Sequence, residues 1–329
     1  MTQTPKNMGE FEFIQQMLPK AQTSPQLILG IGDDAAIIRP TAGRDIHISS
    51  DMLVAGRHFF ADVAPQNLGH KALAVNLSDM AAMGAKPRWV LLSVALPELN
   101  PVWLADFLAG FQSLAAEHEV MLIGGDTTAG PLTVSVTVLG DAQQGQALRR
   151  DQAQVGDDIW VSGELGLAAM ALAHLTQTLP WTLDAPALAL CLAKLHQPTP
   201  RVALGMALQG IAHAALDISD GLLADLGHIL QASACGAVVN LEALPVAECS
   251  VFGADFKAYS RYVAAGGDDY ELCFTAPVEQ RAALADLAQA LNIRLSKVGH
   301  ITAEQGLQLQ HGGQPFLMAE RGFDHFKAP

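Results

Sequence analysis

Between Lys71 and Lys86 the chain carries one charged side chain, Asp79, and its neighbours are almost all apolar or small. Ala72, Leu73, Ala74, Val75, Leu77, Met80, Ala81, Ala82 and Met83 are composed and spaced as a buried helix. Asn76 sits one turn before Asp79, on the same face. An ionised carboxylate left unpaired there would cost several kcal/mol, so it needs a cation or a proton. A nearby lysine or a capping role would satisfy one such residue, but the oddity recurs.

Acidic residues embedded in Gly, Ser or Thr stand at Gly32-Asp33-Asp34, Ser49-Ser50-Asp51, Gly124-Gly125-Asp126-Thr127-Thr128 and Asp217-Ile218-Ser219-Asp220-Gly221. Each falls at the end of a predicted strand, where ligands of parallel and mixed sheets bind. Two carboxylates about 4 Å apart repel by about 4 kcal/mol at an effective dielectric near 20. Several converging would therefore need hard cations such as Mg²⁺, which take oxygen donors and complete their shell with water and phosphate oxygens. Taken singly, GDD and SDG are turn chemistry; the expectation is that they converge.

The 329 residues suffice for two domains. Composition turns polar over residues 140–156, which sets the expected domains at 1–145 and 146–329. In the first half, a helix is predicted within residues 1–20, with strands at 26–30, 45–50 (Ile46 and Ile48 inward), 89–95, 120–123 and 132–139. Helices are predicted at 67–84 and 101–119. In the second half, strands are predicted at 158–162, 214–218, 270–275, 295–301 and 307–310. Helices there are predicted at 165–178, 186–195, after Pro200, at 222–232 and at 278–291.

A net charge of −14 without any basic run argues against a nucleic-acid partner, while phosphorylated metabolites remain open if divalent cations intervene. No apolar run approaches a membrane span, and the polar first ten residues carry no signal-peptide core. Cys191, Cys235, Cys249 and Cys273 form no CxxC pair, so reduced thiols in a cytoplasmic protein are expected. No Gly-Lys dipeptide exists for a Walker A loop, and HRD and DFG motifs are missing. Bound ATP would need another fold, in which Gly124, Gly125 and the helix start at Asp220 and Gly221 bring backbone N–H groups near phosphate. No Ser or Cys shows a paired base, so no residue is expected to act as nucleophile or as acid/base. Of the eleven histidines, His58, just after Asp51, is the one singled out.

Taken together, GIGDDAAII, ISSDMLVAGRHF, KALAVNLSDMAAMGAKP, LIGGDTTAGP, DISDGLLADLGHI and GGDDYELCFT resemble the thiamine-monophosphate kinase family, of the aminoimidazole ribonucleotide synthetase-like ATP-binding superfamily. The likeness runs from about Gly9 to the closing RGFDHF. It implies an α/β and α+β, two-domain PurM-like fold, with an N-terminal mixed-sheet ATP-binding domain that dimerises and a C-terminal α+β domain. It also implies a homodimer joined through the N-terminal sheets, and ATP-dependent conversion of thiamine phosphate to thiamine diphosphate. The implied Mg²⁺ ligands are Asp34, Ser49, Ser50, Asp51, Asp79, Asp126, Asp217 and Asp220, with Asp51, Asp79 and Asp126 essential. The implied ATP contacts are Gly125, Asp126, Arg150 and Ser219, and those to thiamine phosphate are His58, Asp268 and Phe323. Asp268 stands where the family pattern has Glu, one methylene longer, so a contact to the pyrimidine ring would be lost, water-mediated or taken over by Asp269. Two alternatives remain beside this reading. One is a sister enzyme, aminoimidazole ribonucleotide synthetase-like or a selenophosphate synthetase, the latter disfavoured because no Cys precedes Cys191. The other is a non-catalytic, metal-dependent nucleotide binder.

Overall fold

The computed structural model describes residues 24–247, 256–319 and 322. The helix expected in residues 1–20, Cys249 and Phe323 lie outside them. The chain forms two compact units, one of residues 1–76 and 87–141, the other of residues 77–86 and 142–329. The chain thus passes into the second unit at Leu77, returns at Pro87 and leaves the first after Asp141, a few residues before the expected boundary.

The first unit contains a short antiparallel pair, β1 (Leu27–Leu29) and β2 (Ile37–Ile38), and a four-stranded sheet. That sheet consists of β3 (Arg44–Val54), β4 (Lys86–Leu96), β5 (Met121–Ala129) and β6 (Thr133–Gln143), in the order β3-β6-β4-β5. Helix α1 (Pro65–Ala82) begins here, and α2 (Pro101–Glu117) connects the parallel neighbours β4 and β5, as a parallel pair requires. The Asn100 side chain caps α2 by accepting the amides of Val102 and Trp103, and Pro101 fits its first turn. The two helices touch through glycines. A Cβ on Gly69 would lie 1.9 Å from the Phe107 carbonyl oxygen, and one on Gly110 would lie 1.9 Å from that of Gln66. Glycine at both positions is what lets the two backbones approach this closely. On its buried side α2 contributes Leu104, Phe107, Phe111 and Leu114.

The second unit is a mixed seven-stranded sheet with helices. Its strands are β7 (Asp158–Ser162), β8 (Ala214–Asp217), β9 (Gly236–Asn240), β10 (Leu272–Ala276), β11 (Leu295–Thr302), β12 (Gly306–His311) and β13 (Gln314–Pro315), in the order β13-β12-β9-β11-β7-β10-β8. Only β9 and β12 pair in parallel among the registers described; the others run antiparallel. The helices are α3 (Leu167–Leu175), α4 (Ala185–His196), α5 (Val202–Ala207), α6 (Leu222–Ala232), α7 (Phe256–Ala265) and α8 (Arg281–Leu291). Ile159, Val161, Leu216, Val239, Cys273 and Val298 of the sheet pack with Leu222, Leu226 and Ile229 of α6 in one core. Among the described residues no helix is long and apolar enough to cross a membrane.

Four expectations need correction. Two supposed strand ends are strand interiors: β3 runs on through Asp51 to Val54, and β5 runs through the whole Gly124–Thr128 motif. The glycines that suggested a break serve instead for contact, since a Cβ on Gly125 would lie 1.8 Å from the Leu92 carbonyl oxygen. The extra residue is absorbed by a register shift between Val90 and Leu91. Ile48 is not inward but 66% exposed; the alternation of β3 turns Ser49, Asp51 and the buried Leu53 to one face, and Ile48, Ser50 and Met52 to the other. Finally, β9 and α7 were not foreseen, the first because a five-residue strand directly after a helix carries too little pattern.

Candidate functional site

In the first unit, the segment around Asp51 is held by its own backbone. The Asp51 N–H donates to Asn76 Oδ1 at 3.1 Å, and its carbonyl accepts from Ser135 Oγ at 3.3 Å. Asn76 is only 1% exposed and donates its own amide to the Ala72 carbonyl at 3.0 Å. The asparagine expected to share the Asp79 face is therefore the fixture that ties β3 to α1. Ser50 Oγ lies 3.2 Å from the Val136 carbonyl, to which it donates, and 2.9 Å from Thr137 Oγ1. With its proton engaged, that hydroxyl could meet a cation only through lone pairs. Because side chains alternate along a strand, Ser49 and Asp51 share a face that Ser50 does not.

A turn follows β3 in which Gly56 has φ 76° and donates to the Phe59 carbonyl at 2.8 Å. It brings half-buried His58 back so that Nδ1 accepts the Val54 N–H at 3.0 Å. That bond fixes the tautomer: the proton resides on Nε2, which becomes a donor suited to a phosphate oxygen. Asp34 and Asp126 are both exposed, and among the described residues neither carboxylate has an ion-pair partner. The Asp34 amide is engaged by Asp33 Oδ1 at 2.8 Å.

In the second unit Asp79 is half-buried near the C-terminal end of α1, and its neighbour Ser78, fully buried, donates to Asp217 Oδ2 at 2.7 Å. Asp217 ends β8 and is itself buried. The loop from Ile218 to Gly221 then leads into α6, and here the structure differs from expectation. The amides of Ser219, Asp220 and Gly221 do not form an open phosphate cradle. All three donate to one oxygen, Asp225 Oδ2, at 3.0, 3.0 and 3.1 Å. Burial, with Asp220 nearby, pushes the Asp225 carboxyl up to about 7 against the opposing pull of those amides. Asp225 was missed in the sequence, although an acid inside the apolar run LLADLGHIL is the same signal that marked Asp79.

The GGDDYE stretch lies directly across from this loop. Asp268 N–H donates to the Ser219 carbonyl and Tyr270 N–H to that of Ile218, each at 2.8 Å, while Ile218 N–H donates to the Glu271 carbonyl at 2.8 Å. These bonds continue the antiparallel pairing of β8 with β10 past the strand ends. The three acids of the stretch do separate work. Asp268 is half-buried and accepts from the Tyr270 hydroxyl at 3.0 Å. Asp269 is buried and accepts the Gly166 N–H at 2.9 and 3.1 Å, at the start of α3, so it is committed to the fold and not placed to replace Asp268. Burial pushes its carboxyl well above the usual carboxylate range. Glu271, 1% exposed, receives Arg201 through Nε at 2.6 Å and Nη2 at 2.5 Å, Ser162 Oγ at 2.6 Å and Lys194 at 3.5 Å.

The structure thus joins Ser219, an expected ATP contact, to Asp268, an expected substrate contact, by one hydrogen bond. Arg150 is elsewhere in the unit. It lies in the single turn Arg150–Gln152, and its carbonyl accepts from Ser233 Oγ at 2.8 Å, beyond the C-terminal end of α6. Ser219 precedes the other end of this eleven-residue helix, which spans about 16 Å, so only an elongated ligand could touch both. Among the described residues, no three His, Cys, Asp or Glu side chains are gathered closely enough to hold a metal ion. The donor chemistry nevertheless suits a hard cation: carboxylates and hydroxyls, with Asp34 and Asp126 exposed and, among the described residues, in no ion pair.

The family described as AIR synthase related protein matches this chain through its N-terminal domain at residues 32–142 and its C-terminal domain at residues 154–312. Over 323 residues the chain is 42% identical to the thiamine-monophosphate kinase of Salmonella typhimurium (strain LT2), covering 98% of this chain and 99% of that protein. The chain belongs to the thiamine-monophosphate kinase family. That family is one of phosphotransferases, and the two-domain PurM-like fold expected from the motifs is borne out. The crystal structure of thiamine-monophosphate kinase from Stenotrophomonas maltophilia K279a superposes with a TM-score of 0.81 at 47% identity, covering 87% of this chain and 91% of that one. AaThiL complexed with AMPPCP and TMP gives a TM-score of 0.75 at 28% identity, covering 88% of this chain and 89% of that one.

Proposed function

We propose that this chain phosphorylates thiamine phosphate to thiamine diphosphate at the expense of ATP. The observation that carries the reading is the near-complete match, 42% identical over 98% of the chain, to a thiamine-monophosphate kinase. A relative solved with AMPPCP and TMP supports an ATP-like and a phosphorylated ligand for this fold. An oxygen of thiamine phosphate attacks the γ-phosphorus in line; the new P–O bond forms as the bond to the ADP oxygen breaks. The attacking phosphate is already ionised near pH 7, so no general base is needed, and positioning with charge neutralisation suffices.

The ligands assigned to Mg²⁺ are Asp34, Ser49, Asp51 and Asp126 in the first unit, and Asp79, Asp217 and Asp220 in the second; Ser50, expected beside them, is on the other face of β3 with its hydroxyl turned to Val136 and Thr137, and is left out of the set. Bound Mg²⁺ would supply the positive charge that lets two phosphate-bearing anions approach. His58 Nε2 donates to the substrate phosphate, a role supported by its fixed tautomer. Gly125, Asp126, Arg150 and Ser219 contact ATP, and Asp268 and Phe323 contact thiamine phosphate. Ile48 and Met52, 66% and 58% exposed on the edge strand β3, support a homodimer joined through the first unit's sheet. The thiols of Cys191, Cys235 and Cys273, all buried and none in a disulfide, support a reducing, cytoplasmic setting.

A coupled assay of ADP release with and without thiamine phosphate, with chromatography of the product, tests the activity. ATP turnover indifferent to thiamine phosphate would refute it. Asp51→Asn and Asp79→Asn are each expected to abolish turnover while leaving the melting temperature nearly unchanged. Near-normal kcat in either variant at ordinary Mg²⁺ removes the metal assignment.

A further inference from the structure

Within three positions the second unit holds two non-glycine residues in left-handed backbone, Asp268 at φ 67° and Tyr270 at φ 50°. L-residues use that region sparingly, and Asp enters it far more readily than most because its short side chain bonds locally. The shape is imposed by the bonds from Asp268 N–H to Ser219 and from Tyr270 N–H to Ile218, and by Gly267, where a Cβ would lie 2.5 Å from the Ser219 carbonyl oxygen. A residue at position 268 therefore faces two demands, comfort at positive φ and reach toward a ligand. Asp meets the first better than the Glu of the family pattern, and meets the second less well.

The Tyr270 side chain bears on the second demand. Its residue is 8% exposed, so the ring is fixed by packing, and its hydroxyl turns back to donate to Asp268 Oδ1 at 3.0 Å. The hydroxyl thereby ties one carboxylate oxygen of Asp268 to a ring that packing holds still. We propose that Tyr270 is a positioning residue for substrate recognition: its hydroxyl aims the Asp268 carboxylate at the pyrimidine end of thiamine phosphate. The inference rests on the reading of Asp268 as a substrate contact.

Steady-state kinetics of the full-length enzyme tests it with Tyr270→Phe, Asp268→Ala and the double variant. Tyr270→Phe removes only an oxygen. It is expected to raise KM for thiamine phosphate about three- to tenfold, the net effect of one hydrogen bond, and to leave kcat and KM for ATP within about twofold. In the Asp268→Ala background the same substitution is expected to change nothing further, as a double-mutant cycle demands of one residue acting through another. If Asp268→Ala itself leaves KM for thiamine phosphate unchanged, the underlying reading of Asp268 fails and the inference with it. If Asp268→Ala raises that KM but Tyr270→Phe does not, or does so equally in both backgrounds, the positioning role alone is overturned. A drop in kcat and melting temperature with KM unmoved would make Tyr270 a merely structural residue and overturns it too.

Discussion

Replacing Asp225 with Asn gives a pH-dependent change in stability whose size follows from the site. The carboxyl is 5% exposed and pushed up from 3.8 to about 7, with burial as the main cause. Below about pH 4 the group is protonated in the folded and the unfolded chain alike. Between about pH 4 and pH 7 the unfolded chain has released the proton while the folded chain keeps it, so wild-type stability falls as pH rises through this window. Above about pH 7 both forms are ionised and the loss is complete. A displacement of about three units corresponds to about 4 kcal/mol. Asn resembles the protonated acid and does not titrate, so Asp225→Asn escapes this loss. Its melting temperature relative to wild type should rise between pH 4 and pH 8 by an amount on the order of 10 °C for a unit of this size. Differential scanning fluorimetry in EDTA-containing buffers across that range reads it, without interference from divalent ions. Melting curves for the two proteins that run parallel in pH would refute the reasoning. Asp225→Ala serves as control: it should lie below Asp225→Asn at every pH by about 1–3 kcal/mol, because the buried Gly221 amide then has no acceptor.

Two other perturbations follow from the packing. Gly125→Ala drives a methyl group into the Leu92 carbonyl and must break the β4–β5 pairing, so it should destabilise by at least about 2 kcal/mol, measured by urea titration. A midpoint equal to wild type would mean that the close approach is not obligatory. Glu271→Ala leaves Arg201 buried without its carboxylate and should cost about 3–5 kcal/mol, whereas exposed Glu304→Ala, the comparison, should stay within about 0.5 kcal/mol; equal midpoints would contradict the buried ion pair.

Much of the fold was legible because it depends on local pattern. The buried α1 was evident from its run of Ala, Leu, Val and Met, α2 from the apolar stripe of Trp103, Phe107, Leu108, Phe111 and Leu114, and β8 and α6 from the sequence ALDISDGLL. The errors arose where a glycine has two uses. At Gly125 the residue type that ends strands is instead required by the nearness of the Leu92 carbonyl, a contact with no local trace. Ile46 and Ile48 suggested an inward face, but which side of an edge strand is covered depends on neighbours distant in sequence. In the site, the acidic positions were visible and their partners were not. That Ser78 engages Asp217, that Asn76 holds Asp51 and that Asp225 gathers three amides are tertiary facts. GGDDYE reads as one acidic motif, yet its acids face a tyrosine hydroxyl, a helix start and an arginine.

The stitching of residues 218–219 to residues 268–271 has a bearing on attempts to retarget this enzyme. On the proposed reading of Asp268 as a substrate contact, a loop that moves to admit a bulkier acceptor drags the backbone beside Ser219 with it, because the two segments share three main-chain bonds and one glycine's worth of clearance. Libraries that randomise one segment alone will therefore return mostly misfolded or inactive proteins, and productive variants will come as matched changes in both.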